Sequence, residues 1–199
     1  MRFISRRVRF PLLAVLLLAP AHASAEWQVK PFLGMTFGGG TTFVDPEKAA
    51  GRPNFVVGVS TGLLGEVLGV DADFGHAPGF FQSGSQNLVL HSSVTTLTGN
   101  IVIALPRRLT EFTLRPYFVG GAGLMYVHIV RGAGLLDVAA SLPAIDLGGG
   151  ATGFLTDRIG VNWDVRHFRR TGKGEERGLS VGPEDLSFWR ANIALAIRY

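Results

Sequence analysis

Apolar and polar side chains alternate along most of this chain with a period of two, the repeat expected of β-strands whose two faces meet different surroundings. The last segment is the clearest case. Trp189, Ala191, Ile193, Leu195, Ile197 and Tyr199 share one face, and Arg190, Asn192, Ala194, Ala196 and Arg198 the other. Near the start, Trp27, Val29, Leu33, Met35 and Phe37 oppose Gln28, Lys30, Gly34 and Thr36, with Phe32 out of phase. Phe55, Val57 and Val59 oppose Gly58, Ser60 and Gly62, while Leu68, Val70, Ala72 and Phe74 oppose Gly69, Asp71, Asp73 and Gly75. Leu97, Ile101, Ile103 and Leu105 oppose Thr96, Thr98 and Asn100, and Ile159, Val161, Trp163 and Val165 oppose Asn162, Asp164 and Arg166. Eight strand segments result, at 27–40, 54–64, 66–77, 89–105, 113–130, 144–156, 158–169 and 186–199; glycine on both faces weakens the fifth and sixth. Each is near or above the roughly nine to eleven residues with which a tilted strand crosses a membrane.

Alternation alone leaves two architectures open. A soluble barrel or sandwich turns its apolar face inward, whereas a membrane barrel turns it to lipid and fills its interior with polar and small residues. The connections separate the two. Stretches 41–53, 78–88, 131–143 and 170–185 are long, the breaks at Gly65, 106–112 and Asp157 are short, and the two kinds alternate. Outer-membrane barrels close with short turns on the periplasmic side and long loops outside; an even strand count then puts both termini on the periplasmic side. The expected fold is therefore all-β, a closed antiparallel transmembrane barrel of about eight strands. A soluble lipocalin-like barrel with its faces reversed is the architectural alternative. The direction of the Ile193, Leu195 and Ile197 face decides between them.

Ahead of this domain, Arg2, Arg6, Arg7 and Arg9 precede the short apolar run Phe10 to Ala19, and Ala23-Ser24-Ala25 supplies small residues for cleavage. This is the layout of a signal peptide, and ten or so apolar residues are too few to span a bilayer as a helix. Residues 1–25 are expected to be removed, leaving 26–199 as one barrel domain. Removal of the leader's four arginines from 19 basic residues leaves 15, against 15 acidic ones, so the mature chain is formally neutral. The basic pI near 10.0 owes much to the leader, and no nucleic-acid partner is expected. Cysteine is absent, which excludes disulfides, thiolate chemistry and cysteine metal sites. Glycine-rich stretches at 120–123 and 148–150 lack the Lys-Ser/Thr and following helix of a phosphate loop.

The run Arg115-Pro116-Tyr117-Phe118-Val119-Gly120-Gly121-Ala122-Gly123, the charged Asp164-Val165-Arg166 in a late strand, and the alternating last strand ending on Tyr199 resemble the small OmpA/OmpX-like outer-membrane barrels. This family is also known as the outer membrane protein β-barrel domain. The resemblance covers most of 27–199 and implies an outer-membrane location. It also implies that Tyr199, in place of the family's usual Phe, forms part of the signal read by the barrel-insertion machinery. Outer-membrane lipid is then one partner, and a surface ligand held by the long loops another. The barrels that deacylate lipid A use a late His with a nearby Ser; here Arg169 stands two positions after His167. His76, His128 and His167 also share the parity of outward residues, so no enzyme, cofactor or metal site is expected.

The candidate site is the interior. Lys30, Arg115, Arg166, Arg190 and Arg198 fall on the inward parity together with Asp71, Asp73, Asp146 and Asp164. Charges crowded into a narrow barrel must pair, because an isolated buried charge is costly. The expected role is a salt-bridged lumen plug in a non-enzymatic protein that acts structurally or through its surface loops. A small-solute pore lined by the same ions, and a lipid A-modifying enzyme, are the alternatives.

Overall fold

The computed structural model describes residues 25–41, 53–80, 89–110, 114–131, 138–172, 175–177 and 186–199. All of the expected signal segment 1–25 except Ala25, and most of the long connections, lie outside them. Among the described residues nine strands form, β1 (Glu26–Thr41), β2 (Asn54–Leu64), β3 (Leu68–Pro78), β4 (Val89–Ala104), β5 (Leu114–Arg131), β6 (Val138–Phe154), β7 (Ile159–Arg170), β8 (Glu175–Arg177) and β9 (Leu186–Arg198). Each long strand pairs antiparallel with its neighbour from β1 to β7, and β7 pairs with β9. The β1–β9 ladder, from Gln28↔Arg198 to Thr41↔Leu186, closes an eight-stranded barrel without a free edge.

The sides of this barrel are fixed by the period-two pattern. Ile193 is 61% exposed and Leu195 47%, and Leu33, Val70, Ile101 and Phe118 also stand on the outer surface. Lumen-facing neighbours such as Asp73, Arg166 and Arg190 are buried. This direction excludes the lipocalin-like alternative, in which the same apolar face would line the interior. Phe32, out of phase in the sequence, is buried among the lumen residues.

Strand ends depart from the sequence-based boundaries by one or two residues, with one larger exception. Residues 138–143, expected in a long loop, belong to β6 and continue its ladder with β5 from Gly123↔Ala144 to Ile129↔Val138. On its other edge β6 pairs Ala139–Ser141 with β8, inside the stretch expected as loop 170–185. The β5–β6 hairpin is therefore longer than a membrane crossing requires, and the connection left between its strands is short. Ala139, Ala140 and Pro143 carry little contrast between the two faces, which concealed this extension.

Two irregularities interrupt the closing seam. Pro31 has no N–H to donate, which breaks the β1–β9 ladder between Val29↔Ile197 and Phe32↔Ala194 without shifting its register. Further along, the register shifts between Phe37 and Gly40, where Gly38 adopts φ 59°. That left-handed conformation is open to glycine at no steric cost and supports a bulge. At the end carrying both termini the turns are tight: Gly65 N donates to Leu68 O at 2.9 Å and Leu155 N to Ile159 O at 2.9 Å. The β4–β5 connection there contains a 3-10 turn, Arg107–Leu109, and Tyr199 N donates to Trp27 O at 3.0 Å.

Candidate functional site

An eight-stranded barrel is only wide enough for its own side chains to fill. Into that space β1 places Lys30, β3 Asp71 and Asp73, β6 Asp146, β7 Asp164 and Arg166, and β9 Arg190, each at most 8% exposed. Arg166 is the hub. Its Nε and Nη2 donate to Asp164 Oδ2 at 3.1 and 3.0 Å. The same guanidinium lies 3.5 Å from Asp71 Oδ2, 3.7 Å from Asp73 Oδ2 and 3.6 Å from Asp146 Oδ2. The planar, permanently charged fork of arginine suits a position shared by carboxylates from three strands.

Arg190 makes the tighter pair. Its Nη2 reaches both oxygens of Asp73, at 2.8 and 2.9 Å. Its guanidinium carbon lies 4.7 Å from the ring centres of Phe32 and of Phe168, within cation–π range of each. Room for this packing comes from glycine. A Cβ on Gly75 would stand 2.5 Å from Arg190 Nη1 and one on Gly58 2.9 Å from Phe32 Cε1.

Neutral groups finish the network. Asp71 accepts from Ser60 Oγ and Asn100 Nδ2, both at 2.7 Å, with Lys30 Nζ 4.0 Å away. Asp164 accepts from Tyr117 Oη and Asn192 Nδ2, both at 3.0 Å. Asn162 donates to Tyr117 Oη at 3.0 Å and to Thr152 Oγ1 at 2.8 Å. Such bonds fix the carboxylates before any ion pair is counted.

Two of the nine candidate residues lie apart from this cluster. Arg115 sits at the short-turn rim, where Nη2 donates to the carbonyls of Gly65 and Glu66 at 2.7 and 2.6 Å and Nε to that of Leu105 at 3.0 Å. It ties two turns together. Arg198 is also at that rim, donating to Glu26 Oε1 at 2.9 Å and to Asp157 O at 2.7 Å. Both have the inward parity but stand at strand ends, where parity no longer implies a place in the lumen. With Glu26, Arg107, Phe154 and Asp157 they surround a cavity of about 370 Å³.

A second layer was missed by the expectation of a polar interior. Phe188 stacks on Phe168 with ring centres 5.3 Å apart and meets Phe80 edge-on at 5.0 Å. Val56, Val94, Met125, Val127, Leu142 and Leu186 are buried with them. A signal was present: Phe168 has the parity of Asp164 and Arg166, and Phe188 that of Arg190. Phe80 fell in an expected loop, yet its carbonyl accepts from Asn54 Nδ2 at 2.9 Å.

The described histidines with placed side chains stand on the outer parity. His76 Nδ1 and Thr95 Oγ1 share a hydrogen bond at 2.9 Å, and the His167 ring lies 4.8 Å from that of Trp189. Trp27, Tyr126, Trp163, Trp189 and Tyr199 are all substantially exposed. Trp27 and Tyr199 lie at the short-turn end, Tyr126 and Trp189 toward the other, and Trp163 between them in register with Ala151 and Ile193.

Closed sheet, outward apolar surface and inward polar network together define the small eight-stranded outer-membrane barrel fold. Solved structures agree. Neisserial surface protein A superposes with a TM-score of 0.63 at 9% identity, covering 87% of this chain and 97% of that one. OprG of Pseudomonas aeruginosa gives 0.57 at 13% identity, covering 89% and 97%. The N-terminal barrel domain of OprF from the same organism gives 0.53 at 13% identity, covering 87% and 97%. No family model matches this chain, and no curated protein matches it in sequence.

Proposed function

We propose that the mature chain, exported by its 1–25 leader, spans the bacterial outer membrane as a non-conducting, non-enzymatic barrel. In this reading it strengthens the envelope and offers its long connections to a partner at the cell surface. The carrying observation is the interior of two stacked layers, ions around Arg166 and rings around Phe188. Water and solutes would have to disrupt both to pass.

The membrane part of the reading is supported by the exposed belt of Leu33, Val70, Ile101, Phe118, Ile193 and Leu195. An apolar surface that encircles a protein marks contact with lipid or another partner. One similar structure is named an outer membrane protein and another a surface protein. Tyr199, 80% exposed at the end of the closing strand, is available to the insertion machinery. No cofactor enters this scheme.

The test is electrical. Refolded mature protein in planar bilayers is expected to give no steady current steps and to leave vesicles tight to small solutes. Steady single-channel conductance would reject the closed lumen and favour a pore. Recovery in the outer-membrane fraction with a heat-modifiable gel shift checks the location separately.

A further inference from the structure

The ionic layer contains four carboxylates, Asp71, Asp73, Asp146 and Asp164, and three cations, Lys30, Arg166 and Arg190. Three of the acids have close partners. Asp73 is held by Arg190, Asp164 by Arg166, and Asp71 by Ser60, Asn100 and Lys30. Asp146 is the fourth. It is 3% exposed, and neither of its oxygens has a hydrogen-bond partner. Arg166 Nη1 approaches to 3.6 Å without forming a hydrogen bond.

The surroundings of Asp146 are oxygen-rich. Asn100 and Asp146 flank Gly121 in register. Asn100 spends its Nδ2 on Asp71, and its Oδ1 lies over Gly121, where any side chain would collide with it. That oxygen is also unpartnered, as is Thr98 Oγ1 one rung further along β4. Asn100 is 5% and Thr98 2% exposed. Gly121 and Gly123 carry no side chain between β4 and β6: a Cβ at Gly121 would meet Asn100 Oδ1, and one at Gly123 the carbonyl of Leu97. The charged groups around Asp146 are Arg166 of β7, Arg190 of β9, and Asp71 and Asp73 of β3.

We propose that Asp146, with the side-chain oxygens of Asn100 and Thr98, binds one small hard cation, a proton or an alkali-metal ion, that neutralises the excess negative charge of the lumen. An unbalanced charge away from water is costly, and the unpartnered carboxylate, amide and hydroxyl oxygens are the kind that hard cations take; Arg166 Nη1, itself without a hydrogen-bond partner, borders the same carboxylate. The bound ion ties the stability of the barrel to the ionic medium.

The experiment uses refolded mature protein in detergent and reads the midpoint of the heat-induced gel shift. NaCl, KCl and choline chloride are compared at equal ionic strength, at mildly acidic and mildly alkaline pH. An alkali-ion site raises the midpoint in one metal salt over choline, on the order of 5 °C at saturation. A proton site instead raises it on acidification alike in all three salts, and gives the infrared carbonyl band of a protonated carboxyl group. Asp146→Asn, which removes the excess charge with little change of shape, should abolish whichever response is seen. Asn100→Leu, which keeps the carboxylate, should weaken a metal response if Asp146→Asn does not refold. A midpoint indifferent to cation and pH, with no acid band, would overturn the proposal, as would a response that survives in Asp146→Asn.

Discussion

The two layers of the lumen occupy the same narrow cylinder and close it by opposite means. Around Arg166, side chains from β1, β3, β6, β7 and β9 are held by charge and directed hydrogen bonds, and glycine makes way for long polar groups. Around Phe188, the filling depends on shape and area, with Phe80, Phe168 and aliphatic side chains packed as in a soluble core. The difference lies in what each layer loses when one member is removed. An aromatic ring leaves a void, whereas an ion leaves its partners unpaired in a place water reaches poorly. Arg190 connects the layers by bonding Asp73 on one side and contacting Phe32 and Phe168 on the other.

The largest expected effect follows from the ionic hub. Arg166→Ala leaves Asp164 without its cation and Asp71, Asp73 and Asp146 with one fewer positive neighbour. Breaking a buried pair from one side costs about 3–5 kcal/mol, enough to prevent refolding or lower the urea midpoint sharply. Arg166→Lys should recover only part of the loss, because an ammonium cannot reproduce the fork that spans several carboxylates. Full stability of Arg166→Ala would show that the carboxylates are hydrated, and the contrast between layers would fail.

A somewhat smaller loss is expected from the aromatic layer. Phe188→Ala removes both the stack on Phe168 and the edge contact with Phe80, at a cost of roughly 3 kcal/mol. Urea unfolding should show this loss with little dependence on pH or salt, since no charge is involved. If the two layers act independently, the Arg190→Ala and Phe188→Ala losses add. Non-additivity in a double-mutant cycle would show coupling through Phe168, which touches both side chains.

How much of this was legible depends on which physical signal each feature left. Period-two alternation located all eight long strands and assigned Asp71, Asp73, Asp164, Arg166 and Arg190 to one face, because parity survives any tilt of the strand. It gave the same inward face to Arg115 and Arg198 but not their depth, and both stand at the rim. Depth depends on register between strands, which no single segment encodes. The aromatic layer was hidden because Phe168 and Phe188 have inward parity within strands otherwise read as polar inside, and Phe80 adjoins a connection rather than a strand. The extension of β6 over 138–143 escaped because Ala139, Ala140, Pro143 and Ala144 carry little contrast between faces. The unequal number of acids and cations near Asp146 could be counted only once the side chains had been placed.

The smallest effect is expected where the same kinds of charge meet water. At the short-turn rim Glu26 is shared by Arg107 and Arg198, close to where β1 meets the end of β9. By position this triad secures the closing seam, as Arg166 secures the lumen. The Arg107 side chain is 46% exposed, so solvent screens the pair and replaces much of what is lost on its removal. Exposed pairs contribute about 0–1 kcal/mol, and Arg198 still holds Glu26 when Arg107 is gone. Arg107→Ala should therefore move the urea midpoint hardly at all, and any shift should vanish in high salt. A loss comparable to that of Arg166→Ala would mean that seam charges, rather than lumen charges, govern barrel stability.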